Sequence, residues 1–195
     1  MSEPEEDADD RLAPLMEYFG EQMNRTLAYF LCVLEFEGDE DLNADPASNF
    51  RAWRLQTIKN ACLDGTLMAL RDLDDFFTER DLTKLRPHER DGIRSQTFGY
   101  TGSHTFLTGE ERTKINKLIA HTTTLGAASK GFQWDILELV TKGASQCLAF
   151  LKWIEEEYGL AHFNLFTAAF VIRQRSEKHL EFIRSEAEKR RDSKA

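Results

Sequence analysis

The sequence predicts an all-α fold, a four- to five-helix bundle with a long basic connection between its second and third helices. Three observations lead there. Apolar residues recur at three- and four-residue spacing over long stretches, the period of one face of a helix. Capping and helix-breaking residues bracket those stretches. Nothing alternates strand with helix, and no GxGxxG or Walker-type loop is present, which removes a nucleotide-binding sheet. A length of 195 residues suits one domain, and fourteen Phe with three Trp supply an aromatic core.

Each element has its own reason. Residues 1–10 are acidic and poor in apolar side chains, and read as a disordered tail. The first helix is expected over 11–36, where Leu12, Met16, Phe19, Met23, Leu27 and Phe30 share one face. The second is expected from Asp45-Pro46 to about residue 79. A capping oxygen there precedes a residue whose missing N–H costs nothing in the first turn. Apolar residues occupy several of its faces, from Trp53 and Ile58 to Met68, Leu70 and Phe77, which marks a central helix. Residues 80–107 break the period with Pro87, Gly92, Gly99 and Gly102 and form the long basic connection.

Thr108 with Glu111 three residues on is a capping box, so the third helix starts there and runs toward Gly126. Asp135 and Glu138 open the fourth helix, and Gly159 closes it. The fifth spans 164–191, apolar at first and then charged. This organisation gives a bundle domain over 11–172 and a charged helical extension over 173–195, which projects or packs on a partner.

Charge is uneven. The net charge is −9, yet residues 1–50 alone carry fourteen acids against two bases, while 80–117 and 173–194 each carry eight bases against five acids. Global acidity disfavours a nonspecific nucleic-acid binder, and the two local basic regions keep a phosphate-bearing partner open. No apolar run reaches the ~18 residues of a membrane span. Cys32, Cys62 and Cys147 are far apart in sequence, with no CxxC, and read as buried free thiols of a cytoplasmic protein. Neither a metal nor a cofactor is expected.

The candidate chemistry lies on helices two and three. The segment Ala69-Leu70-Arg71-Asp72-Leu73-Asp74-Asp75-Phe76-Phe77 sets four charges in an apolar stretch, with Arg71 and Asp75 one turn apart. On helix three, Lys114, Asn116 and Lys117 precede His121. Were the helices neighbours, Asp75 would hold one imidazole nitrogen and leave the other for proton transfer. Arg71, Lys114 or Arg112 would supply the cation a phosphodiester reaction needs. The competing architectural role for His121 is a hydrogen bond to a carboxylate and a favourable place near a helix C-terminus. In the connection, Arg86, Arg90 and Arg94 with Phe98, Tyr100 and Phe106 form a candidate RNA-binding stretch. Its bland counterpart is a solvated loop, since Asp81, Glu89 and Asp91 dilute the charge.

The pairing of residues 69–77 with Ile115-Asn116-Lys117-Leu118-Ile119-Ala120-His121-Thr122 resembles the HEPN superfamily of small α-helical bundles. Many of its members are ribonucleases of toxin–antitoxin, phage-defence and RNA-processing systems. His121 matches the family histidine, Ala120 before it is typical, and Asn116 resembles the polar residue of the motif. The resemblance implies a four-helix core, a homodimer with the active site at the dimer cleft, an RNA substrate and a protein partner such as an antitoxin. It implies a metal-independent endoribonuclease in which His121 handles the proton, Asn116 orients a phosphate or ribose oxygen, and Arg71 or Lys114 stabilises charge. The sequence departs from the motif at its arginine. Lys114, Ile115 and Asn116 fill the expected positions, and Arg112 is two residues too far from His121. The alternative from a different class is a helical interaction module without chemistry. The acidic first half and the aromatic fourth and fifth helices point that way.

Overall fold

The computed structural model describes residues 8–37, 49–78, 93–102, 105–120 and 135–192. Among them the regular elements are all helical. They are α1 (Ala8–Glu37), α2 (Phe50–Phe77), α3 (Gly109–Ala120), α4 (Ile136–Tyr158) and α5 (Phe163–Asp192), with 3-10 turns at Ser95–Phe98 and Gly159–His162. This is the expected all-α bundle. Helix α1 lies between α2 and α5, α4 packs on α5 and also reaches α1 and α2, and α3 sits on α2.

The local signals explain several boundaries. Thr108 and Glu111 form the capping box, with the Thr108 N–H donating to the Glu111 carboxylate at 2.7 Å and the Glu111 N–H donating to the Thr108 hydroxyl at 3.2 Å. Two orphan donors are thereby satisfied reciprocally. Asp135 accepts the Glu138 N–H at 2.9 Å and starts α4. Gly159, at a φ of 54°, ends it in a conformation that side-chain-bearing residues rarely adopt. Helix α2 begins at Phe50, later than the start expected at Asp45-Pro46, because Asn49 is extended and its side chain accepts from the N–H groups of Arg51 and Ala52. Asp45-Pro46 lies outside the described residues, as does Gly126.

The core is aromatic. Phe150 on α4 is fully buried, and the rings of Phe19, Phe76, Phe98 and Tyr100 lie 5.2, 5.2, 5.4 and 5.2 Å from it. Two glycines bring the helices close. A β-carbon at Gly143 on α4 would meet Leu70 at 2.9 Å and Phe106 at 3.1 Å, and one at Gly20 on α1 would meet Ile172 at 2.6 Å. Tyr158 donates to the Phe98 carbonyl at 2.7 Å and ties the Ser95–Phe98 turn to the end of α4.

Four further expectations are corrected. Helix α1 begins at Ala8, so Asp9 and Asp10 are helical and not part of a tail. Asp9 is buried and accepts the N–H groups of Asn164 and Leu165 at 3.0 and 2.7 Å, capping α5. The segment after residue 172 does not project as a free extension. Leu180 and Ile183 are buried in the main core cluster, and Arg173 pairs with Glu155 on α4 at 2.6 Å. Helix α2 is not buried all round, since Phe50, Trp53 and Met68 are exposed and its buried residues concentrate in the second half. Of the three cysteines only Cys147 is buried, and burial pushes its thiol pKa well up, whereas Cys32 and Cys62 are half-exposed. No helix among the described residues is long and apolar enough to cross a membrane.

Candidate functional site

The expected neighbourhood of α2 and α3 exists, and a buried carboxylate organises it. Asp74 lies on the apolar stripe of α2 with Leu70, Leu73 and Phe77, and is fully buried with them. A carboxylate there must be matched by donors. One oxygen accepts the N–H groups of Phe106 and Leu107 at 2.8 and 3.0 Å. The other meets the Arg112 guanidinium from α3. The same guanidinium donates to Asp75 at 2.8 Å and to the Thr78 hydroxyl at 2.9 Å. Arg112 thus staples the first turn of α3 to the last turn of α2, while Asp74 anchors the segment leading into α3.

The expected site residues fall into four groups. Arg71 and Asp75 are brought together at 3.9 Å, both part-exposed, at the rim of this staple. Asp75 also accepts from Arg112 at 2.8 Å. Lys114 faces Glu110 at 2.5 Å on the exposed side of α3, and Asn116 is exposed. An exposed pair of that kind is worth at most ~1 kcal/mol. Arg94 is turned inward. Only 9 % of it is exposed, and its guanidinium donates to the Asp75 carbonyl at 3.5 Å. His121, Arg86 and Arg90 lie outside the described residues.

Beside the staple, Lys142 on α4 reaches Glu111 at 3.6 Å and Glu138 at 2.6 Å. Burial works against the charge of Glu111, but the Thr108 N–H and hydroxyl and the nearby Lys142 outweigh it and hold that carboxyl below its ordinary range. The hydrogen bond to Glu138 pushes the Lys142 ammonium up. Both groups stay charged at neutral pH, so the edge of α3 offers a fixed pattern of alternating charge.

Sequence reasoning missed Asp74 and Arg112 as the centre of the network. The available signal was position: an acid at helical spacing among Leu70, Leu73 and Phe77 has to be buried with a partner. No family model, curated protein or solved structure matches the chain, and the functional reading therefore rests on the geometry of the seam itself.

Proposed function

We propose that this chain is a HEPN-like helical bundle that binds RNA, with cleavage carried by His121, through the face where α2 meets α3. The observation that supports this reading is the seam itself. Arg112 joins the two helices and leaves Arg71, 40 % exposed, beside Asp75 at its rim. Arg112 is committed to a buried acid, so Arg71 and Lys114 are the cations an RNA phosphate would meet. His121 would move the proton and Asn116 orient a phosphate or ribose oxygen, with a homodimer completing the cleft.

The test is cleavage of single-stranded RNA by the purified protein in EDTA. His121→Ala should lower the rate by at least ~100-fold, the usual contribution of a general acid or base. Arg71→Ala should weaken binding and reduce the salt slope by about one phosphate contact. Equal cleavage by wild type and His121→Ala, or none from either, would sink the catalytic version. Unchanged binding by Arg71→Ala would remove the seam as the RNA face.

A second reading, a protein-interaction module, rests on a different surface. A cleft of about 620 Å³ runs between α1 and α5, with Asp10, Glu17 and Glu21 on one wall and Phe163 and Val171, both more than half exposed, on the other. The Asn24 side-chain amide oxygen at its edge is buried without a partner among the described residues. An acidic wall facing an apolar one complements a cationic amphipathic helix. A labelled peptide of that kind should bind in fluorescence anisotropy, and Glu17→Lys with Glu21→Lys should weaken it at least ~10-fold with Tm unchanged. Equal affinity for the charge-reversed protein would dismiss this surface.

A further inference from the structure

We propose that Cys32 and Cys62 form a peroxide-oxidisable dithiol that closes to a disulfide between α1 and α2. The two thiols are far apart in sequence, but the antiparallel packing of α1 on α2 makes them neighbours. The register is consistent over two successive turns. Tyr29 packs on Gly65, and three residues further along α1, and three back along α2, Cys32 meets Cys62. Gly65 matters because a β-carbon there would meet the Tyr29 ring at 2.9 Å. The glycine thus seats that ring in the α1–α2 interface beside the thiols. Close approach is what a disulfide requires, since the two α-carbons must come within ~4.4–6.8 Å. Both cysteines are half-exposed, so a small oxidant reaches them, whereas Cys147 is sealed in the core.

The chemistry uses a hydroperoxide as oxidant. The Cys32 thiolate attacks the distal peroxide oxygen, the O–O bond breaks, and the alcohol or water leaves with a proton. Cys32 is then a sulfenic acid. The Cys62 sulfur attacks the Cys32 sulfur, the S–O bond breaks, and the departing hydroxide takes the Cys62 proton to become water. Two thiols and one hydroperoxide give one disulfide, one alcohol (water, from hydrogen peroxide) and one water. The order of steps follows from environment. Burial and the neighbouring Cys32 push the Cys62 thiol up, so Cys62 remains protonated and acts as the resolving partner.

The reduced full-length protein is treated with hydrogen peroxide, denatured, and its thiols titrated. Three thiols should fall to one, and peptide mapping should find residues 32 and 62 cross-linked with the loss of two hydrogens. Cys147→Ser should give the same cross-link and fall from two thiols to none. The bond closes a loop of some thirty residues, which on chain-entropy grounds should raise Tm by ~5–10 °C. Cys62→Ser should stop Cys32 at the sulfenic or sulfinic stage. If that variant does not fold, the cross-link map of the wild type decides alone. Three thiols retained after peroxide, cross-links only between molecules, or oxidation of Cys147 at an equal rate would overturn the assignment.

Discussion

Arg112→Leu is expected to lower unfolding stability by about 3–5 kcal/mol, the cost of leaving a buried charge without its partner. The carboxylate left behind is Asp74, whose side chain is 0 % exposed against 24 % for Arg112. The two backbone N–H groups from Phe106 and Leu107 would remain on one of its oxygens, but the other would face an apolar wall. Arg112→Lys should fall between the two, because an ammonium keeps the charge but cannot reproduce a fork that serves Asp74, Asp75 and Thr78 together. The double variant Asp74→Leu with Arg112→Leu should recover only part of the loss, since it removes the buried charge yet orphans the two N–H groups of the connection. Urea unfolding followed by circular dichroism reads all four proteins. A loss under ~1 kcal/mol in Arg112→Leu would mean that water or another cation replaces the guanidinium, and that α3 is not held by this residue.

Phe150→Ala is the second large effect, expected at about 3–5 kcal/mol from lost burial and the cavity that remains. Phe150 is fully buried, and its ring meets those of Phe19, Phe76, Phe77, Phe98, Tyr100 and Trp153 at centroid distances of 5.2, 5.2, 5.8, 5.4, 5.2 and 6.3 Å. These rings come from α1, α2, α4 and the segment before α3, so no single helix can move to refill the gap. Edge-to-face contacts add to the loss beyond buried area. Phe150→Leu should cost far less, and Phe170→Ala, on a side chain 42 % exposed, under ~1 kcal/mol. Since natural domains hold only ~5–15 kcal/mol in total, Phe150→Ala should also lower the soluble yield. A Tm unchanged within error would show that the ring cluster repacks without strain.

The two predictions bear on how much the sequence disclosed. Helices α3 and α4 were legible at their starts because their boundary signals are local: a hydroxyl, an amide and a carboxylate three residues apart decide them. The packing of the second half of α5 was not legible. Its buried positions Leu165, Ala169, Ser176, Leu180 and Ile183 follow helical spacing, but Ser176 is polar and the intervening residues are charged, which hides the stripe. Helix α2 misled in the opposite direction, since Phe50 and Trp53 stack on each other at 5.6 Å in the open and mimic a buried face. At the seam, sequence spacing correctly paired Arg71 with Asp75. What it did not weigh was the demand of Asp74. A fully buried acid recruits the nearest arginine first, and Arg112 serves Asp75 with the same guanidinium.

The Asp9 cap on α5 has a consequence for the order in which the chain assembles. Its two acceptor bonds reach Asn164 and Leu165, 155 and 156 residues later. At ribosomal rates of ~5–20 residues per second, that distance is on the order of 10–30 s of synthesis. Helix α1 is therefore the first of these helices to leave the ribosome, yet among the last to be completed. It can pair with α2 early, but its α5-facing side, including Gly20 where Ile172 seats, stays uncovered until α5 has emerged.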